Sequence, residues 1–229
     1  MESLFQLRNY KMFPNFEVVM DKSLVEYIEG AVIPMYEGFD AGHRREHVNA
    51  VVEEALRLAG YYDVDVDMVY SAAAYHDTGL SVDRKTHHLE SGRIIREDRE
   101  LKRWFSEEQI EIIAQAAEDH RASSDHEPRS IYGKIIAEAD RQIIPESIIL
   151  RTVQYGLDHY SELDKEGHWQ RTCEHMAEKY DDGGYLKLWI PESRNADGLA
   201  KLRSIIHNKS RLRAMFEAAF ADARNHQGL

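Results

Sequence analysis

Apolar residues recur at a spacing near 3.6 over long stretches of this chain, and only five prolines interrupt its 229 residues. That pairing constrains the fold more than any other feature and predicts a mainly helical, all-α protein. A first helix is expected over residues 23–36, with Leu24, Tyr27, Ile28 and Ala31 on one side and Pro34 ending or kinking it. A turn at 39–42 follows. Residues 43–59 form a clear amphipathic pattern, with Val48, Val51, Val52, Ala55 and Leu58 at helical spacing. Short helices are expected at 68–77, where Gly79 is a plausible terminator, and at 87–99. Ser106-Glu107-Glu108-Gln109 has the S-x-x-Q form of a capping box and should open a helix reaching His120. The next helix spans 130–143, with Pro145 just beyond it.

Past Pro145 the pattern changes. Helices are expected at 148–163 and 169–180, then a loop at 181–184, a short apolar stretch at 185–190 and a last helix over 199–223. No repeat, low-complexity tract or linker divides the chain. The expectation is therefore one domain over 1–229, with a core at about 40–145 and a helical extension at about 146–229. That extension carries aromatic residues but no cluster of ligand-type side chains, and reads as packing that completes the domain.

Composition narrows the function classes. Hydrophobic residues at 43% and charged residues at 31% are ordinary for a soluble globular protein. No apolar run approaches the roughly 20 residues of a membrane span, and the N-terminus lacks the apolar region of a signal peptide. A cytoplasmic location is the default expectation. The single Cys173 excludes an internal disulfide framework and a thiolate-rich zinc site. A net charge of −12 argues against general nucleic-acid binding, which needs clustered cations. It leaves room for a small phosphorylated substrate, because a bound divalent ion can reverse the local field. No feature speaks to membrane attachment, and a homo-oligomer is among the assemblies left open.

Twelve histidines occur, and seven of them fall between 43 and 126. His76-Asp77 comes first in the argument. Adjacent helical residues point about 100° apart, so two such side chains can flank one ion near a helix end. Alone, a His-Asp dipeptide is more often a core histidine with an acidic neighbour. However, His76 continues a stripe through Val69, Ala72 and Ala73, and His47 lines up with Val51, Ala55 and Leu58. Asp140 follows Ile136 by one turn, which puts a carboxylate on an apolar face. Buried carboxylates are costly unless paired or metal-bound. Two inward histidines and two acids on three helices point to a shared cation held by nitrogen and oxygen.

These residues resemble the pattern of the HD-domain superfamily of metal-dependent phosphohydrolases. That pattern is an early His, here His47 in GHRREHVNAV, a His-Asp pair, here in AAAYHDTGL, and a later Asp, here Asp140 in IIAEADR. Ala50 departs from it, standing where relatives often carry Arg, but that position is not a ligand. The resemblance implies a helical bundle and a divalent ion (Mn, Mg, Zn, Fe, Co or Ni) on His47, His76, Asp77 and Asp140. Asp77 would also help to orient the attacking water. In two-metal relatives further histidines lie between the pair and the last Asp. His88 and His120 resemble those positions and either hold a second ion or bind substrate phosphate. His43, His87 and His126 lie beside turns and read as exposed or supporting residues, His43 being the best of them. Arg84, Lys85, Arg121, Lys134 and Arg141 are candidates to hold phosphoryl oxygens, although each alone reads as a surface charge. Glu118 and Asp119 are weaker candidates for proton transfer.

The implied reaction is hydrolysis of a phosphate ester or anhydride, of a nucleotide or another small phosphorylated metabolite. TGLSVD carries only Asp83 where alarmone hydrolases have a Glu-Asp pair, and the Gly-Tyr-Pro signature of cyclic dinucleotide hydrolases is missing. Two alternatives stand beside it: a di-iron oxygenase on the same fold, and a non-catalytic module that binds a nucleotide or partner.

Overall fold

A computed structural model describes residues 11–13, 16–17, 19–39, 45–124 and 126–227. The fold is all-α. One short antiparallel pair, β1 (Lys11–Phe13) and β2 (Phe16–Glu17), precedes the helices, and no strand was expected there. The chain divides into two compact units, Met1–Asp140 and Arg141–Leu229.

The first unit is built around α3 (Val66–Tyr75), whose residues from Met68 to Tyr75 are all buried. Three consecutive alanines, Ala72 to Ala74, give it a thin profile that lets neighbours approach closely. Helix α2 (Arg45–Ala59) lays Val48, Val51, Val52, Ala55 and Leu58 against it, the stripe read from the sequence. Helix α5 (Glu107–Glu118) packs on α3 through a face that includes Ile113 and Ala117. Fully burying an aliphatic side chain of this size contributes about 1.5–3 kcal/mol, so these stripes hold the three helices together. Ser106 caps α5 as expected: its Oγ accepts from Gln109 N at 3.2 Å, and Gln109 Oε1 accepts from Ser106 N at 3.0 Å.

The expected first helix has three parts. Helix α1 (Lys22–Tyr27) passes into a π-helical segment, Ile28–Val32, and then a 3-10 segment, Ile33–Gly38. Pro34 lacks an N–H and its ring would collide with a carbonyl one turn back, so a regular α-helix cannot run through it. Residues 40–42 of the expected turn, and His43, lie outside the described residues.

Helix α4 (His87–Glu97) packs on α5 and on a 3-10 segment, Thr78–Ser81. Gly79 is required there. A Cβ at that position would overlap the carbonyl oxygen of His87, and Gly79 N donates to Ser91 Oγ at 2.9 Å. Helix α6 (Ile131–Arg141) completes the unit, with Tyr132 Oη accepting from Asp65 N at 3.0 Å at the start of α3.

The second unit holds α7 (Pro145–His159), α8 (Lys165–Tyr180), α9 (Asn195–Ile206) and α10 (Lys209–Gln227). Val153, Phe216, Phe220 and Ala223 form a core cluster with Leu157 and Trp169 against it. The single helix expected over 199–223 is two helices. Asn208 makes the break by accepting from Arg211 N at 3.1 Å, which caps the start of α10. Among the described residues, no helix is long and apolar enough to cross a membrane.

Candidate metal centre

The last carbonyls of a helix have no helical partner, and in the first unit they anchor histidines. His76 follows the end of α3 and donates its Nδ1–H to the carbonyl of Ala73 at 2.7 Å. His120 does the same at the end of α5, with Nδ1 2.5 Å from the carbonyl of Ala117. His87, the first residue of α4, donates Nδ1–H to the carbonyl of Arg84 at 2.9 Å. A carbonyl can only accept, so in each neutral ring the proton sits on Nδ1 and Nε2 keeps a lone pair. All three Nε2 atoms face one cluster. The C-terminal ends of α3 and α5 also lie beside it, where the helix dipole favours positive charge.

Asp77 is the centre of that cluster, 3% exposed. Its Oδ2 lies 3.2 Å from His76 Nε2 and 3.7 Å from His47 Nε2. Its Oδ1 lies 3.4 Å from His120 Nε2 and 3.5 Å from His87 Nε2. One carboxylate therefore faces two imidazole pairs, one on each oxygen. Within the first pair the Nε2 atoms are 3.4 Å apart, and within the second 3.1 Å. Asp140 Oδ1 joins the first group, 3.2 Å from His47 Nε2 and 3.7 Å from His76 Nε2.

These spacings fit cations. Donors about 2.1 Å from a common ion at tetrahedral angles stand about 3.4 Å from one another. The fit also follows from the chemistry of the donors, since inward lone pairs on adjacent imidazoles repel unless a cation or proton lies between them. Among the described residues two groups bring imidazoles together in this way: His47, His76 and Asp77, extended by Asp140, and Asp77, His87 and His120. Without thiolate, either would hold a divalent ion through nitrogen and oxygen.

The two groups differ in charge. Burial pushes the His76 imidazole down, but the carboxylates of Asp77 and Asp140 outweigh it and hold His76 at about 9. Burial alone would raise Asp77, yet the imidazoles of His76 and His120 keep it well below the usual carboxylate range. Asp140 is lowered as well, its burial outweighed by His47. His87 moves the other way: burial and then the neighbouring His120 lower it.

His88 does not stand where the sequence suggested. His87 pairs with His120, while His88 shares the α4 face of the buried Ser91 and Ile95 and lines a separate cavity beside the cluster. Burial and the Arg121 guanidinium lower His88 to about 4. Arg84 and Lys85 are exposed on the loop that leads to His87. Asp83 shapes that loop by accepting from Lys85 N and Thr86 N at 2.8 and 2.9 Å. Arg121 Nη1 donates to the carbonyl of Lys85 at 2.8 Å. Lys134 is ion-paired with Glu127 at 2.5 Å, and Arg141 is the half-buried last residue of α6. Glu118 and Asp119 are tied up in ion pairs. Glu118 meets Arg96 at 2.5 Å and Arg129 at 2.6 Å, and Asp119 accepts from Arg129 and His126.

One residue had no sequence signal. Tyr36, fully buried, donates its hydroxyl to the carbonyl of Ala74 at 2.9 Å and accepts from the backbone N–H of Asp77 at 3.2 Å. It fixes the main chain where α3 ends and Asp77 begins. Only the 41-residue separation hid it, since a tyrosine on a buried helical face reads as ordinary core.

Residues 44–142 match the family described as HD domain. The histidine–aspartate cluster lies inside the matched segment, which is similar to an HD domain. No curated protein and no solved structure matches the chain.

Proposed function

We propose that the protein hydrolyses a phosphate ester or anhydride of a small phosphorylated metabolite, using two divalent ions. The observation that carries this reading is Asp77, whose two oxygens each face a pair of imidazole nitrogens. His47, His76 and Asp140 would hold one ion with Asp77, and His87 and His120 the other. An imidazole-rich set suits Mn, Fe, Co, Ni or Zn better than Mg. Ions held there would supply Lewis acidity toward a phosphoryl oxygen and make water a stronger acid.

The chain's own residues do the rest. Asp77 keeps the two halves in one register, and its low proton affinity leaves it ionised, able to accept a hydrogen bond from the O–H of the attacking water. The Nδ1 anchors on Ala73, Arg84 and Ala117 stop the imidazoles from rotating, so the donors are in place before substrate arrives. Arg84 and Lys85, exposed beside His87, are the cations best placed in sequence to meet phosphoryl oxygens. Lys134 is committed to Glu127 and is less suited to that task.

The test is metal analysis of the purified chain together with a phosphate-release screen over nucleotides and sugar phosphates. About two ions per chain and metal-dependent phosphate release are expected. Full activity in a His76→Ala, Asp77→Ala double variant would overturn the reading. A carboxylate between two histidine pairs would also serve a di-iron oxygenase, so iron content with oxygen-dependent turnover and no phosphate release would select that alternative.

A further inference from the structure

Beside the His87–His120 half of the cluster lies a cavity of about 400 Å³ lined by residues that hold no place in the metal groups. His88 and Arg121, each one position along the chain from a cluster histidine, form part of its wall, with Glu118, Asp119, Ser123 and Arg129. Among the described residues no Phe, Tyr or Trp lines it, and its only rings are the imidazoles of His88 and His126.

What the cavity can bind follows from which of its polar atoms are already used. Both carboxylates are engaged. Glu118 is held between Arg96 and Arg129, and Asp119 takes the Arg129 side chain, the Arg129 backbone N–H at 2.7 Å and His126 at 3.2 Å. Arg129 is consumed in the same network. The donors are less committed. Arg121 spends only Nη1, on the carbonyl of Lys85, and among the described residues its other N–H groups meet no acceptor. That one bond holds the guanidinium in place. Ser123 and His88 make no hydrogen bond within the described residues, and His88 Nδ1 is buried without a partner. A wall of neutralised carboxylates and uncommitted donors selects for an oxyanion rather than a cation or a polyol.

We propose that this cavity is a second oxyanion site, in which Arg121, Ser123 and His88 hold a phosphoryl group of the substrate other than the one that reacts. The assignment rests on the phosphohydrolase reading and adds to it: the substrate carries two phosphoryl groups. Arg121 is then the specificity-determining contact.

Two measurements test it. The first uses the full chain stripped of metal and titrated with inorganic phosphate, followed by 31P NMR. One phosphate should bind, about tenfold more weakly in Arg121→Gln, the loss expected for one charge-assisted contact. Arg121→Lys should recover part of that loss because the charge is kept, and circular dichroism establishes that the variants are folded. The second compares two phosphate esters that differ only in a second phosphoryl group. The ratio of their kcat/KM values should fall about tenfold in Arg121→Gln. Absence of phosphate binding in the stripped protein, equal binding in Arg121→Gln, or an unchanged ratio would each overturn the proposal. Failure of both esters to release phosphate would instead count against hydrolysis, while the stripped-protein titration still decides the oxyanion site.

Discussion

The two halves of the cluster share Asp77 and differ in nearly everything else. The half with His47 and His76 has a second carboxylate, Asp140, and holds a proton on His76 up to about 9. The half with His87 and His120 has only the remaining oxygen of Asp77, and its His87 is lowered by burial and by His120. It also lies beside the exposed Arg84–Lys85 loop and the cavity. The difference teaches that the first half is built to retain a cation, with two negative charges on it. Under the proposed hydrolysis the second, beside the exposed loop and the cavity, would meet substrate, and an ion held there by one carboxylate oxygen would be the weaker one.

The largest effect should come from the residue the halves share. Asp77→Ala is expected to remove both ions and lower phosphate release at least about a thousandfold, since the cation contributes several kcal/mol of transition-state stabilisation. Metal content and kcat measured on the same preparation check this. Retention of one tightly bound ion would break the shared-carboxylate picture. Next comes a variant that should separate the halves. His87→Ala is expected to lower the stoichiometry from two ions to one, whereas His88→Ala should keep both, because His87 and not His88 faces His120. Loss of an ion in His88→Ala alone would reverse that placement.

The comparison also explains what was legible in the sequence. His47, His76 and Asp140 lie on apolar helical stripes, where a polar residue stands out by its spacing alone. The stripe rule selected His88 on α4 for the same reason, since it is in line with Ser91 and Ile95. At the first turn of a helix, however, facing the packed neighbour and facing the cluster are different directions. His87 reaches the cluster because Arg84 anchors it and Gly79 lets the chain come close. Neither contact is periodic, so no stripe reveals it. Tyr36 meets Asp77 across 41 residues, which local pattern cannot see. The break between α9 and α10 was missed because neither Gly nor Pro marks it and only the cap at Asn208 does.

A third prediction concerns protons. A metal needs the Nε2 lone pair of His76, and below about 9 a proton occupies it in the ion-free protein. Affinity of the first half should therefore rise about tenfold per pH unit between pH 7 and 9, then level off. Burial and His120 lower His87, so that imidazole adds no such competition in the second half, whose affinity should change less steeply over that range. Competition with a fluorescent chelator at several pH values would resolve both ions. The same group sets a stability trend in the stripped protein. A value raised above 6.5 stabilises the fold fully below about 6.5, and that contribution is lost as pH rises through about 9. Equal pH slopes for the two ions would remove the charge difference between the halves.

The smallest effect, and the sharpest for the role of Asp77, is expected from Tyr36→Phe. The change keeps the ring and its packing but deletes the hydroxyl that joins the Ala74 carbonyl to the Asp77 N–H. Each buried group left without a partner costs about 1–3 kcal/mol, so the melting temperature should fall. Packing loss alone would do no more than this. If the hydroxyl also fixes the direction of the Asp77 carboxylate, affinity for metal should drop about tenfold, the lower end of the effect of removing an outer support. Because Asp77 serves both halves through opposite oxygens, the two ions should weaken by similar factors. Calorimetric titration alongside thermal melts separates the outcomes. A lower melting temperature with unchanged metal affinity would make Tyr36 a packing residue. Weakening of only one ion would mean that the carboxylate is aimed by that ion's own ligands rather than by the main chain at the end of α3.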